Sequence, residues 1–360
     1  MWVRRIAGLW GWHSALACAL FVSPAVFHAA SEYHLIRNIL IGGPGGWDYI
    51  TVDPEAKRVY IPRTEDIQVL DEVSGKVIGD ITGMKGLHGV AVAPEFNRGF
   101  ATGNDPEAVI YLLDLKELKV TGKLMLSAAK GSDSLYFEPM TKRAFINTAA
   151  SNNAQVVDAA TGQLVGTVSF PGRPEAAVAD DKGNMFVNIV DKDEVVEYDA
   201  KTFAIKNAWP SAPCTRGYGI AMDAVHHRLF LACQPSPTSG VFVVMNADTG
   251  RVVASMPIGI GSDGAAFDPV TGDAFATCRD SGGGKNGATY IFHQDGPDQY
   301  SRVAEVKTIY GARTIALDPK THHVFSIATE QNDPVPATPQ NPNPRPRPVP
   351  SSFTLVELGK

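Results

Sequence analysis

The chain repeats one pattern seven times. In each copy a short apolar segment leads into a turn, often with a proline, and a second apolar segment with an aromatic residue follows, as in "TVDPEAKRVYIP" and "TIALDPKTHHVFSI". Successive copies are 40 to 50 residues apart, a length that accommodates four short β-strands. The sequence therefore predicts an all-β protein built from seven four-stranded units. The aromatic residues are Tyr60, Phe100, Phe145, Phe186, Phe230, Phe275 and Phe325.

Turn motifs are expected to connect the strands inside these units. Asp71–Gly75 (DEVSG), Asp158–Gly162 (DAATG) and Asn246–Gly250 (NADTG) each begin with a side chain that can bond its own backbone. Each ends with a glycine, which tolerates positive φ. The segments around them carry the β-branched and aromatic residues that suit a pleated, half-buried strand.

The repeats indicate one domain over residues 31–360. They begin near residues 46, 86, 131, 173, 216, 261 and 311 and so cover the chain almost from end to end. No second domain is needed to account for 360 residues, because stacked repeats share one continuous core. A hydrophobic content of 44% is enough for such a core.

The last unit lacks one strand. After Phe325 the chain passes through a proline-rich segment, 331–350, which we expect to be an extended loop because proline offers no backbone donor. It then ends on "FTLVELG", a third strand. The segment "YHLIRNILIG", Tyr33–Gly42, precedes the first complete repeat and has the pattern of a strand. Its pairing outside "FTLVEL" would close a ring and leave no long open edge.

The first thirty residues have the layout of a secretory signal peptide. Arg4 and Arg5 precede an apolar run, and Pro24 and small residues precede the polar "SEYH". An uncleaved membrane anchor is the alternative, but the run is interrupted and is short for a span. We expect cleavage near Ala30, a periplasmic or secreted protein, and no transmembrane segment in the mature chain. Cleavage would leave 30 basic and 38 acidic residues, so tight nucleic-acid binding is not expected.

The chain resembles a known family in the wording of its repeats. "GVAVAPEFNRGF", "DPKTHHVFSI" and the secretory start are similar to the YVTN-repeat, YncE-like proteins of bacterial envelopes. The resemblance implies a seven-bladed β-propeller whose last blade is closed by the N-terminal strand. Some members of that family bind single-stranded DNA and others accompany redox enzymes, and neither role can be transferred here by residue. The fold hosts many activities, so function depends on the site.

Equivalent positions of the repeats are expected to form a ring around the central channel. Six residues before the turn position, every copy has a polar or ionisable residue, whereas the strands that follow are mostly apolar. We name this set the polar column. A ring of titratable groups around one cavity is a candidate ligand-binding site. The polar column is Asp48, His88, Asp133, Glu175, Tyr218, Asp263 and Arg313.

The order of the polar column indicates its chemistry. Arg313 lies between Asp263 and Asp48 in the ring, where an ion pair is expected. Asp133 and Glu175 are neighbours with His88 beside them, so these three are candidate catalytic and metal-ligating residues: they could hold a divalent cation such as Ca, Mg or Zn, or act as an acid/base pair. A solvated funnel without a ligand is the alternative. The expected centre is acidic, with one arginine and one histidine among the seven residues.

Flanking residues add to the same face. Trp47, next to Asp48, could stack on a ring-shaped ligand or pack against the next blade. The loops that leave the second strands contribute further polar groups, among them Arg63, Asp191 and Arg279. Such loops often carry specificity in repeat scaffolds.

Three cysteines remain after the predicted cleavage. Cys214 and Cys233 lie at the same end of the fifth repeat, and an exported protein can keep a disulfide. We expect these two to be bonded and Cys278 to be a free thiol open to alkylation. A three-thiolate metal site is the alternative, without a supporting CxxC or paired-histidine spacing.

Two functional classes follow from the sequence. The first is a binding or interaction propeller that presents its polar mouth to a small polar ligand or an envelope protein. The second is a metal-assisted hydrolase or lyase, similar to a lactonase, which uses Asp133, Glu175 and His88. The chain has no GxSxG, CxxCH or HExxH motif, so any catalysis would depend on the polar column.

Overall fold

The computed structural model describes residues 1–2, 33–43, 46, 48–104, 106–127, 129–284, 286–332, 336, 338–339 and 347–360. Most of the predicted signal peptide, Trp47 and much of the proline-rich segment lie outside the described residues. Within these ranges, the helical elements are two 3-10 turns, Pro94–Phe96 and Ala149–Ser151. In the same part of the chain, no helix is long and apolar enough to cross a membrane.

The described residues form seven four-stranded antiparallel sheets, the blades of a β-propeller. In blades 1 to 6 the four strands follow one another in sequence, because short turns favour pairing of neighbouring segments. The strands of blades 1 to 3 are β2 (Thr51–Asp53), β3 (Arg58–Pro62), β4 (Ile67–Asp71) and β5 (Val77–Ile81); β6 (Val90–Ala93), β7 (Arg98–Asn104), β8 (Ala108–Asp114) and β9 (Lys119–Met125); β10 (Ser132–Glu138), β11 (Arg143–Thr148), β12 (Asn153–Asp158) and β13 (Leu164–Ser169).

Blades 4 to 6 have the same organisation, and the two outer strands of blade 6 are longer than those of the other blades. Their strands are β14 (Pro174–Ala179), β15 (Asn184–Ile189), β16 (Glu194–Asp199) and β17 (Ile205–Pro210); β18 (Gly217–Asp223), β19 (Arg228–Ser236), β20 (Ser239–Asn246) and β21 (Val252–Ile258); β22 (Gly264–Asp268), β23 (Asp273–Cys278), β24 (Asn286–Gly296) and β25 (Gln299–Ile309).

Blade 7 closes the ring with both ends of the chain, as the sequence predicts. Its order is β26 (Ile315–Leu317), β27 (Val324–Ala328), β30 (Thr354–Gly359) and β1 (His34–Leu40). The pairing of β1 with β30 is antiparallel, and β1 lies on the outside. At the ends of the proline-rich segment, β28 (Gln331–Asn332) pairs with β29 (Arg347–Pro348).

Burial follows the position of a strand in its blade. The second and third strands are almost fully buried, because they pack between the sheets of neighbouring blades; the repeated aromatics Tyr60 and Phe100 are 0% exposed. The fourth strands are more exposed, as expected for the outer edge, and β9 alternates between exposed and partly buried residues. The first strands of neighbouring blades contact one another and surround the axis. The loops that lead into them therefore meet at one end of the channel.

Candidate functional site at the channel mouth

The whole polar column lines one cavity at an end of the channel. The cavity has a volume of about 300 Å³ and is bounded by all seven column residues. Propeller symmetry accounts for this, since the column residues lie at equivalent positions at the start of, or just before, the first strands. We call this cavity the mouth. Its lining is Asp48, Tyr49, His88, Asp133, Glu175, Arg216, Tyr218, Gln234, Gly261, Asp263, Arg279 and Arg313.

His88 lies between two carboxylates. Its Nδ1 atom is 3.1 Å from Oδ2 of Asp48 and 3.7 Å from Oδ1 of Asp133. The hydrogen bond with Asp48 raises the pKa of His88 despite the opposing effect of burial, and Asp133 adds to the rise. The ligand atoms of these three residues all lie within 4.8 Å of one another. Among the residues that the structure describes, Asp48, His88 and Asp133 are therefore the group that could hold a metal ion.

The expected metal cluster differs in one member. The sequence predicts Glu175 as the third member beside His88 and Asp133, whereas Asp48 lies with these two in the structure. Both oxygens of Glu175 are already hydrogen-bonded: Oε1 accepts from the Tyr49 hydroxyl at 2.8 Å and Oε2 from Nη2 of Arg173 at 3.0 Å. Tyr49 reaches across the axis to Glu175 and occupies one of its oxygens, a contact that the linear repeat does not show.

The two neighbouring carboxylates have raised pKa values. Burial and then the charge of Asp48 raise the pKa of Asp133 to about 6. Burial and then the charge of Asp133 raise the pKa of Glu175 to about 7, against the lowering effect of Tyr49 and Arg173. These shifts mean that a second negative charge in the mouth is costly near neutral pH. A bound positive group would relieve that cost.

Arg313 pairs with the carboxylates on both sides, as expected. Its Nη1 is 3.0 Å from Asp263 and its Nη2 is 3.9 Å from Asp48. Burial alone would lower the pKa of Arg313, but the charges of Asp263 and Asp48 outweigh it and raise the pKa. The charges on this side of the mouth therefore compensate one another within the protein.

Two arginines that sequence reasoning missed occupy a glycine position. Two residues before the polar column, five copies have glycine, whereas the fourth and fifth have Arg173 and Arg216. Arg216 keeps a left-handed backbone with φ of 52°, which is uncommon for a side chain other than glycine, asparagine or aspartate. Its guanidinium donates to the Tyr218 hydroxyl at 2.7 Å. The signal in the sequence that indicates these arginines is that they interrupt a column of glycines. The five glycines are Gly46, Gly86, Gly131, Gly261 and Gly311.

These arginines correct the expected charge of the mouth. The four carboxylates of the polar column face Arg216, Arg279 and Arg313 in the same cavity, and Arg173 contacts Glu175 from its rim. The centre is thus mixed in charge instead of simply acidic. Among the described residues, the Nε atom of Arg279 is buried without a hydrogen-bond partner.

Cys214 and Cys233 form a disulfide with a Cα–Cα distance of 5.3 Å. Arg216 and Gln234 follow these cysteines closely and both line the mouth, so the bond connects the loop before β18 with strand β19. Cys278 is free, but it is 0% exposed, and burial raises its pKa to about 12. The expectation that its thiol is open to alkylation is therefore wrong for the folded state.

Of the loop residues expected on this face, Arg279 lines the mouth and Arg63 does not. Arg63 is 3% exposed and its guanidinium lies 3.6 Å from the ring centroid of Phe353. It joins blade 1 to blade 7 as a structural residue. Asp191 accepts a 2.7 Å hydrogen bond from the backbone of Arg173 and so supports the loop beside Glu175.

Comparisons with known proteins concern the fold. No family model matches the chain, and no curated protein matches its sequence significantly. Among solved structures, the chain is similar to Kuenenia stuttgartiensis Hydrazine Synthase, with 14% identity and a TM-score of 0.67 over 78% of this chain and 92% of that one. It is also similar to a chain of the Mitotic Checkpoint Complex crystal structure, with 13% identity and a TM-score of 0.68 over 87% and 95%. Identities this low show a shared fold alone. The seven blades of the described residues identify this fold as a seven-bladed β-propeller.

Proposed function

We propose that the protein is an exported propeller of the YVTN-repeat, YncE-like kind that binds a small polar ligand with a positively charged group in its mouth. The observation that carries this proposal is the position of Asp133 and Glu175, two mostly buried carboxylates that face one cavity. Their raised pKa values support it, because a cationic group would stabilise both ionised forms. Arg216 and Arg279, which line the same cavity, would donate hydrogen bonds to a polar or anionic part of the same ligand.

Calorimetric titration with methylammonium and with zwitterionic amino compounds tests the proposal. We expect binding to wild-type protein, at least tenfold weaker binding to Glu175→Gln, which removes one charge next to the ammonium group, and unchanged binding to Glu117→Gln, an exposed carboxylate on blade 2. Affinity should rise as pH increases through about 7, because Glu175 ionises there. Equal binding by wild-type and Glu175→Gln would contradict the proposal.

The location and the partner belong to the same proposal. The layout of residues 1–30 supports export to the periplasm or beyond, and fractionation of cells that express the full chain tests it. An envelope protein could use the same face, since the polar side chains of the mouth lie at one end of the propeller. Crosslinking of the mature chain in intact cells, with Glu175→Gln as the comparison, tests whether an envelope protein binds at this face.

A metal-assisted hydrolase or lyase is the second candidate, and the grouping of Asp48, His88 and Asp133 favours it. A divalent cation held there would polarise a substrate oxygen or a water molecule, and Glu175 is the nearby carboxylate for proton transfer. Metal analysis of purified protein before and after chelator treatment tests this candidate. Stoichiometric metal that is lost in Asp48→Asn and kept in Glu175→Gln would place a metal site at these residues, which this candidate requires. Purified protein that binds no divalent metal would exclude the candidate.

A further inference from the structure

A second cavity lies along the axis next to the mouth. Its volume is about 450 Å³, within the range of ligand pockets. Apolar side chains dominate its wall, among them Leu135, Ile220 and Phe267. The hydroxyls of Thr51 and Ser134 line it too, but they donate to the backbone carbonyls of Val90 and Glu175, each at 2.6 Å. Most side chains of the wall are therefore apolar, although polar groups contribute a comparable share of the surface that a ligand would meet. We call this cavity the channel.

Tyr49 separates the channel from the mouth. Tyr49 and Asp263 line both cavities. Tyr49 precedes the first strand of blade 1, and its hydroxyl reaches Glu175 in β14 of blade 4. Blades 1 and 4 are three places apart, the largest separation in a ring of seven. The Tyr49 side chain therefore crosses the axis between a charged cavity and one whose side chains are mostly apolar.

We propose that the mouth and the channel form one two-part site for a small amphiphile with a cationic head and an unbranched apolar tail. The head lies against Glu175 and the tail enters the channel when Tyr49 turns aside. This inference rests on the function proposed above, since both place a cationic group of the ligand in the mouth. It adds the class of ligand, a primary alkyl amine or a molecule that ends in one.

The hydrogen bonds at Glu175 support this arrangement. Its Oε1 atom accepts from Tyr49 and its Oε2 atom from Arg173. An ammonium group that donates to Oε1 replaces the Tyr49 hydroxyl, so the carboxylate keeps two partners. Tyr49 is half-buried, and when it turns aside it loses its hydrogen bond to Glu175. The hydrophobic gain of a buried tail offsets that loss.

Calorimetric titration with methyl-, butyl-, hexyl- and octylammonium at about pH 8 tests the inference. For each methylene that enters the channel we expect about a three- to fourfold gain in affinity. Tyr49→Phe keeps the ring and removes the bond that must break, so it should bind hexyl- and octylammonium about three- to tenfold more tightly than wild type. Tyr300→Phe is the control for removal of a hydrogen-bonded tyrosine hydroxyl outside both linings. It loses the hydrogen bond donated to the carbonyl of Pro297 and the one accepted from the Gln294 side chain.

A second variant keeps the test decisive if Tyr49→Phe does not fold. Ala265 lines the channel, and Ala265→Leu should fill it and abolish the gain with chain length, with folding checked by its melting curve. Two results overturn the inference in different ways. If all four amines bind with the same affinity and methylammonium binding still depends on Glu175, the channel is not part of the site and the mouth alone binds the ligand. Binding of none of the amines removes both the inference and the proposed function.

Discussion

Nη1 of Arg143 in blade 3 donates a 2.9 Å hydrogen bond to the carbonyl of Ala200 in a turn of blade 4. The same contact joins Arg98 to Ala159 at 2.7 Å and Arg58 to Leu115 at 2.6 Å, each time from one blade to the next. In the sequence these arginines lie two residues before the repeated aromatic residue. The basic residue of the repeat thus connects neighbouring blades, where a turn offers unpaired carbonyls.

Arg143→Ala should destabilise the propeller by about 1–3 kcal/mol, because it leaves a turn carbonyl without its charged donor. Chemical denaturation of wild-type protein, of the variant and of Lys119→Ala, which changes an exposed residue on β9, measures the effect. Equal losses in the two variants would mean that the contact between the blades contributes nothing.

Closure of the ring gives the second prediction. A chain that begins at residue 43 lacks β1, so β30 becomes an open edge and Phe275 loses the ring of Tyr33, whose centroid lies 5.0 Å away. We expect aggregation or a much lower melting temperature than for a chain that begins at residue 33. Monomeric protein with unchanged melting would show that β1 is dispensable.

The disulfide gives the third prediction. Cys214 and Cys233 are 19 residues apart, and replacement of both by alanine should cost about 3 kcal/mol through the entropy of the unfolded chain. Non-reducing mass spectrometry should find this bond, and Cys278 should react with alkylating reagent only after unfolding, because it is buried. Rapid alkylation of Cys278 in folded protein would contradict the packing of β23.

Glu175 gives a pH prediction. Its pKa rises from 4.5 to about 7 on folding, so the folded protein holds the proton more tightly than the unfolded chain. The resulting stability is present below about pH 4.5 and is lost as pH rises through 7, by about 3 kcal/mol in total. Glu175→Gln should therefore gain stability relative to wild type between about pH 5 and 8. Denaturation at several pH values measures this gap, and a gap that stays constant would contradict the raised pKa.

Nucleic-acid binding gives the last prediction. Three of the four arginines at the mouth contact a carboxylate or a tyrosine hydroxyl: Arg173 pairs with Glu175, Arg313 with Asp263, and Arg216 donates to Tyr218. We expect no submicromolar binding of single-stranded DNA at about 150 mM salt, where few free cations remain to release counterions. The Asp133→Asn/Glu175→Gln variant should bind more tightly than wild type, because it frees Arg173. Tight binding by wild-type protein would show that a different surface recognises the strand.

The repeat of the sequence was enough to predict the blades and their closure. Apolar alternation and turn motifs are local, and a ring joins each repeat to the next in order, so the seven aromatics and the strand at Tyr33 predict the topology. The same equivalence predicted that His88, Glu175 and Arg313 line one cavity. Symmetry brings residues of one column together whatever their identity.

Contacts across the axis could not be predicted in the same way. They depend on how far each side chain reaches and on which neighbour competes for it, and neither property repeats along the chain. Tyr49 reaches Glu175 over a separation of three blades, and Glu175 is therefore engaged while Asp48 joins His88. The sequence by itself determined the blades and the ring of polar groups. Only the tertiary structure decided which of those groups pair, because pairing depends on distances that the closed ring creates.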